Sequence, residues 1–188
     1  MNYVACHDNH TLHDKILLAY PKKDAKTRQG YQRFITSMVL LSEGVPFIHM
    51  GQEFYRTKNG VENSYKSPDS INQIDWALVD KHQDAIAHFK ALVALRKKLY
   101  CLRLPNPSSI KQNAFVSCNE HGTCILEVCK ENGHTIVIFK NNPKKETISF
   151  DEAFKIRYAS TNHQGIINQI ELDSISTIVL QKKEADHE

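Results

Sequence analysis

YVACHDN, residues 3–9, is a short apolar segment that becomes abruptly polar in its last three residues. The same change occurs later, where the apolar run 45–50 breaks into the polar residues 51–53. Compact apolar runs that end in this way are typical of strands buried inside a parallel sheet. We therefore predict two strands, each followed by a loop that carries polar side chains.

Two amphipathic helices alternate with these segments. From about Lys26, apolar residues recur at three- and four-residue intervals, and the pattern stops near Gly44, as a helix with a C-terminal glycine does. A second helix, with a wide apolar face, is predicted from Gln83 to Tyr100. The order strand, helix, strand, helix, with long loops after the strands, is typical of the end of a barrel or of a doubly wound sheet.

The character of the sequence changes at residues 104–107, where two prolines within three residues predict the end of the helix, a stiff connector and a domain boundary after residue 104. Asn132-Gly133 predicts a hairpin turn further on. Seven short strands are predicted in this region, and together they predict an antiparallel β-sandwich over residues 105–188. The predicted strands are 114–117, 124–130, 135–141, 147–150, 155–159, 165–172 and 177–181.

The composition excludes some classes of protein. The 188 residues include 24 Lys and Arg against 21 Asp and Glu, which gives a net charge of +3, and the basic residues are scattered. We therefore expect no nucleic-acid partner, since such proteins gather basic residues on one face. No segment approaches the length of a membrane span and no signal peptide is visible, so no membrane partner is expected either.

Five cysteines stand at positions 6, 101, 118, 124 and 129, without a CxxC pair or the Cys/His spacing of a structural zinc site. This odd set predicts reduced thiols and a cytoplasmic setting. Cys124 and Cys129 lie in an apolar run, where cysteine usually behaves as a small buried apolar residue.

The polar ends of the two apolar segments are open to two interpretations. At the end of a strand, a His-Asp pair such as His7-Asp8 is more often a turn in which the aspartate caps a backbone N–H. Parallel barrels, however, place their reactive groups on the loops after strand C-termini. The same two interpretations, a structural turn or a reactive loop, apply to residues 51–53.

Several segments, in the right order, resemble one known family. Residues 3–9, with Thr11-Leu12 and Asp14-Lys15 behind them, resemble the seventh-strand motif of type I pullulanases in the α-amylase clan. Residues 44–54 resemble the eighth strand of that family, and the later strand-rich region resembles its C-terminal domain. The most specific strings are 56–58, 60–65 and 67–76.

The resemblance implies a fold of the α/β plus all-β class. Residues 1–104 would be the C-terminal portion of a catalytic (β/α)8 barrel, comprising its last two β/α units, and residues 105–188 the antiparallel β-sandwich. The function implied is that of a fragment of a glycoside hydrolase that cleaves α-1,6 branch linkages in pullulan, glycogen or starch.

The resemblance also assigns site residues. Asp8 would stabilise the oxocarbenium-like transition state, and His7 would help to grip the glucose unit at the cleavage point. Trp76 could stack on a sugar, but packing in the core is favoured for it. The expected glucan-binding residues are Asn9, Arg56, Asp69 and Asn72.

The chain also departs from the family pattern. His13 stands where many relatives have tryptophan, which affects the packing of the loop. No segment resembles the fourth and fifth strands, which carry the nucleophile and the acid that this hydrolysis needs. The chain alone is therefore expected to be inactive, with α-glucan and the missing N-terminal part of the barrel as its partners.

No cofactor or metal site is expected, although calcium is left open because α-amylase relatives often hold it. The predicted setting is the bacterial cytoplasm, with secretion as the alternative. Two other functions remain open from the sequence: a non-catalytic module, either glucan-binding or structural, built on the β-sandwich, and another debranching enzyme of the α-amylase clan.

Overall fold

The computed structural model describes residues 1–130 and 133–182. The chain divides into two units, the first made of Met1–Leu40 and Gly44–Ala94 and the second of Leu41–Glu43 and Leu95–Glu188. The domain boundary after residue 104 stays a prediction. Within the described ranges, no helix is both long and apolar enough to traverse a bilayer.

Helices make up most of the regular structure in the first unit. Both predicted helices are confirmed, as α2 (Ala25–Leu41) and α5 (Gln83–Lys98). Three shorter helices were not predicted, and the first of them begins at Thr11, whose hydroxyl accepts the N–H of Asp14 at 3.1 Å. The five α-helices described here are α1 Leu12–Ala19, α2 Ala25–Leu41, α3 Asp69–Asn72, α4 Ala77–Lys81 and α5 Gln83–Lys98, and a 3-10 helix spans Gln52–Phe54.

The two apolar segments do not form the predicted strands. They lie parallel and meet at a single bridge between Asn2 and Pro46, with N–H to carbonyl distances of 2.8 Å from Asn2 to Val45 and from Phe47 to Asn2. A parallel strand needs a neighbour along its whole length, and each segment pairs at this bridge alone within the described residues. The assignment of residues 1–104 to a barrel stays a prediction.

A helix that was not predicted follows the predicted connector at residues 104–107. The side chain of Asn106 accepts the N–H of Ser109 at 2.9 Å and so caps α6, Pro107–Asn113. Proline suits the first turn of a helix because its missing N–H would have no partner there. The preceding helix, α5, already ends at Lys98, before either proline, and the second proline starts another helix.

Six antiparallel strands form one sheet in the described part of the second unit, in the order β1-β2-β3-β6-β4-β5. The predicted segments 147–150 and 155–159 belong to one long strand, β4, whose pairing with β5 shifts register between Ser149 and Phe154. The strands are β1 Ala114–Cys118, β2 Thr123–Lys130, β3 Gly133–Lys140, β4 Glu146–Ala159, β5 Ile166–Leu172 and β6 Ser176–Lys182.

Strands β2 and β3 pair antiparallel as far as Lys130 and Gly133, as the predicted hairpin requires. Asn132, the other residue of the predicted turn, lies outside the described residues. The strand-rich character of residues 114–182 is confirmed, with six strands in one sheet among the described residues instead of seven. The β-sandwich stays a prediction.

The sheet is buried on both faces at its centre. Alternate residues on one face, among them Ile138 and Ile178, belong to an apolar cluster. Val137 and Val179 point to the opposite face and are also fully buried. Burial on both faces explains why the centre of β3 is a continuous apolar run instead of an alternating pattern.

A disulfide joins Cys118 to Cys124, so the prediction of reduced thiols throughout is wrong. The two residues are directly opposite each other in the β1–β2 ladder, with a Cα–Cα distance of 4.1 Å. Pairing of the strands creates this proximity, which a search for CxxC spacing cannot detect. Cys124 is therefore half of a disulfide and not an isolated apolar side chain.

Candidate active site

His7 and Asp8 are exposed at the end of the first apolar segment. Their side chains are 85% and 76% accessible, and His7 Nε2 lies 3.5 Å from Asp8 Oδ1. The next residue, Asn9, has a φ of 68° and accepts the N–H of His10 on its own side chain at 2.7 Å. Asparagine tolerates this left-handed backbone better than most residues, so Asn9 turns the chain just after the His-Asp pair.

The loop that follows the second apolar segment lies beside His7. The ammonium of Lys58 donates to the backbone carbonyl of His7 at 3.3 Å, and also to Glu62 O at 3.2 Å and Ser64 Oγ at 3.0 Å. Lys58 is only 2% exposed. Burial and the nearby positive charge of Arg56 lower the pKa of Lys58. The structure therefore joins the loop after the second segment to the His7 loop, and a barrel rim shared by the two stays a prediction.

Asp14 fixes Lys58 in this position. Its buried carboxylate accepts the hydroxyl of Thr57 at 2.5 Å and the backbone N–H of Lys58 at 2.9 Å. Burial opposes the charged form, but these hydrogen bonds to the carboxylate outweigh it and hold the pKa of Asp14 below its usual range. Because Asp14 lies on α1, directly after the His-Asp loop, it ties this loop to the next one.

Arg56 and Asn72, both predicted to contact glucan, lie next to each other in the structure. Arg56 Nη2 donates to the backbone carbonyl of Asn72 at 2.6 Å. The amide of Asn72 donates to Ser64 O at 2.7 Å and to Ser67 O at 3.0 Å. These groups hold the long loop together, and their role in glucan binding stays a prediction.

Gly51 lies at the start of this loop and is required there. Its φ is 90°, and a Cβ on this residue would lie 2.6 Å from Cβ of Arg56. The following residue, Gln52, is held against α2, since its side chain donates to Thr36 Oγ1 at 3.0 Å and its carbonyl accepts from Gln32 at 2.8 Å. Residues 51–53 thus have a structural role as the sharp exit from the second segment.

The remaining predicted site residues lie on the outer part of the loop. Asp69 is exposed at the first position of α3. Trp76 is 64% exposed, although its ring centre lies 6.1 Å from that of Phe54, so the prediction that it belongs to the core is wrong. Lys58 and Asp14 were missed as positioning residues because a lone lysine and a lone aspartate give no such signal in a sequence.

Comparison with known proteins places these features in context. No protein-family model matches the chain. Among curated proteins, the pullulanase of Bacillus subtilis strain 168 is 44% identical over 113 residues, which are 60% of this chain and 16% of that enzyme. The match therefore covers a small part of the longer protein.

Solved structures match nearly the whole chain. Pullulanase from Anoxybacillus sp. LM18-11, complexed with maltotetraose, is 33% identical with a TM-score of 0.87. Type I pullulanase from Bacillus subtilis strain 168, complexed with maltose, is 31% identical with a TM-score of 0.88. In each case the match covers 97% of this chain and 27% of the solved chain.

Proposed function

We propose that this chain, a relative of the type I pullulanases over nearly its whole length, is part of a glycoside hydrolase that cleaves α-1,6 branch linkages in pullulan, glycogen or starch. The observation that carries the proposal is the exposed His7-Asp8 pair beside the loop that follows the second apolar segment. Solved relatives that hold maltotetraose and maltose support an α-glucan as the substrate.

Asp8 supplies negative charge to the reaction. As a glycosidic bond breaks, positive charge develops on the sugar ring, and a carboxylate held nearby interacts more strongly with the transition state than with the substrate. His7 donates a hydrogen bond to a sugar hydroxyl and orients the ring. Lys58 and Asp14 act through the backbone, because they hold the carbonyl of His7 and the loop that supports it.

The two groups that break the bond are not among these residues. Retaining glycosidases need a nucleophilic carboxylate and a carboxylic acid about 5 Å apart on opposite sides of the bond. We assign both to the remainder of the barrel, and residues 1–104 to its last two β/α units. According to this proposal, the chain does not hydrolyse glucan by itself.

Exposed apolar side chains support the proposal that the first unit packs against a further part of the protein. Tyr3, Val45 and Phe47 are exposed on the two parallel apolar segments. Two strands cannot close a barrel, and unpaired edges of this kind bind further strands. We therefore propose that the rest of the barrel covers these residues, and that residues 105–188 form the sandwich that follows it.

The disulfide bears on where the parent enzyme works. Structural disulfides persist in oxidising compartments and are rare in the cytoplasm. The Cys118–Cys124 bond therefore favours the secreted alternative over the cytoplasmic one.

The role of Asp8 is tested in an intact enzyme that contains this chain. Replacing Asp8 with Asn should lower kcat on pullulan by about 10²-fold or more, since the transition-state charge loses its partner. The free energy of unfolding should stay within about 0.5 kcal/mol, because the side chain is exposed. Glu120→Gln, which changes an exposed carboxylate of the second unit beside His121, is the matched control.

Activity that survives Asp8→Asn would make Asp8 a turn residue and remove the catalytic proposal. The chain alone is assayed in parallel by the reducing ends that it releases from pullulan. Turnover above a heat-killed sample would contradict the assignment of nucleophile and acid to the rest of the barrel.

A further inference from the structure

Cys6, His7 and Asp8 bring three different metal-binding atoms together. The sulfur, an imidazole nitrogen and a carboxylate oxygen all lie within 4.8 Å of one another. In an extended strand, neighbouring side chains would point to opposite faces. Here the backbone bends at residues 7–9, so that consecutive side chains converge.

The spacing suits a small tetrahedral ion. Zinc binds sulfur at about 2.3 Å, and imidazole nitrogen and carboxylate oxygen at about 2.0–2.2 Å, which separates neighbouring ligand atoms by about 3.4–3.6 Å. His7 Nε2 and Asp8 Oδ1 are already 3.5 Å apart. Both side chains are exposed and can adjust without disturbing the core.

The charge and softness of the ligands favour zinc over calcium or magnesium. A thiolate and a carboxylate supply two negative charges for a divalent ion, and sulfur and imidazole are ligands that hard cations avoid. The ammonium of Lys58 lies nearby and opposes a cation, but its three hydrogen bonds hold it on backbone and hydroxyl oxygens.

We propose that Cys6, His7 and Asp8 form a binding site for Zn²⁺ or a similar ion, with the fourth position left to water. Structural zinc sites are closed by four protein ligands, whereas three ligands leave an open position. If the proposed function holds, the ion would occupy the residues that grip the sugar, so that zinc and glucan would exclude each other.

The test uses the whole chain, without reductant, and follows alkylation of Cys6 by peptide mass analysis. Zinc should slow the modification of Cys6 at least tenfold, since the metal occupies the thiolate, whereas Cys101 serves as the internal reference. Neither Ca²⁺ nor Mg²⁺ should protect Cys6. No turnover of glucan is measured, so the result is independent of the proposed function.

Variants separate a three-ligand site from a thiol that binds zinc alone. His7→Gln and Asp8→Asn should each abolish most of the protection. His121→Gln, at another exposed His-carboxylate pair, should leave it unchanged. Alkylation of Cys6 at the same rate with excess zinc, or protection that persists in both site variants, would overturn the proposal.

Discussion

Asp14 connects two loops through one buried carboxylate. It accepts hydrogen bonds from Thr57 and from the backbone of Lys58, and Lys58 in turn holds the carbonyl of His7. Removing the charge on Asp14 weakens its hydrogen bonds with Thr57 and Lys58, on which the contact between Lys58 and His7 depends. Its effect is therefore expected both in the stability of the first unit and in the order of the His7 loop.

We expect Asp14→Asn to lower the free energy of unfolding by about 1.5–3 kcal/mol at neutral pH, the usual contribution of hydrogen bonds to a charged group. The pKa of Asp14 is depressed in the fold, so this stabilisation is complete above the unfolded pKa of about 4 and is lost as pH falls through the folded value. Urea unfolding of both proteins at several pH values, followed by the fluorescence of Trp76, measures this loss of free energy and its dependence on pH.

The control for this variant is Asp80→Asn, which changes an exposed residue of α4 and should cost less than about 0.5 kcal/mol. Equal losses in the two variants would show that Asp14 has no special structural role.

Single residues also show what a sequence can reveal about the site. His7 and Asp8 could be found because they follow an apolar run and match a family motif. Lys58 could not, because a lysine followed by Asn59 and Gly60 indicates an exposed turn. Its burial depends on oxygens from Glu62 and Ser64 that come into place only when the loop folds.

The β1–β2 hairpin is the element whose stability depends most on a covalent bond. Its disulfide closes a short loop, and the chain-entropy model predicts that a disulfide across a loop of this size stabilises the fold by about 2 kcal/mol. We expect replacement of Cys118 and Cys124 by Ser to lower the unfolding free energy of the second unit by about this amount, measured by circular dichroism of the sheet.

Cys6→Ser is the control, because Cys6 is a free thiol in the first unit, and it should leave the sheet unchanged. Peptide mapping of the untreated protein provides a direct check. Alkylation of both Cys118 and Cys124 without reductant would contradict the bond.

At the level of elements, the strands of the second unit were predictable because short apolar runs alternate there with turn residues. The long strand β4 was divided wrongly in two, since Asp151 and Glu152 interrupt its apolar pattern where the register also shifts. The strands of the first unit failed for another reason. Residues 3–6 and 45–50 have the composition of strands, but a strand also needs neighbours, and composition does not supply them.

Over the whole first unit, three histidines predict sensitivity to acid. Burial is the main cause that lowers the pKa of His13, His49 and His88, and the carboxylates of Asp14 and Asp84 offset it only in part at His13 and His88. The unfolded chain therefore binds more protons than the fold just below pH 6.5, so stability is complete above this value and falls as the solution is acidified.

We expect the free energy of unfolding to decrease as the pH falls below about 6.5, with Trp76 fluorescence as the reporter. His88→Gln should make the decrease less steep because one titrating group is removed. His121→Gln, which changes an exposed histidine, should keep the original slope. If the free energy of unfolding did not change as the pH fell below about 6.5, protonation of these histidines would not destabilise the fold, and the prediction would be wrong.

The position of β6 in the sheet has a consequence for synthesis on the ribosome. Among the described strands β6 comes last in sequence, yet it lies between β3 and β4 and hydrogen-bonds to both. Until residues 176–182 leave the exit tunnel, the nascent sheet consists of two separate halves with open inner edges. The sheet therefore closes only after β6 has been synthesised, and a nascent chain stalled before this point exposes edges that pair with other chains.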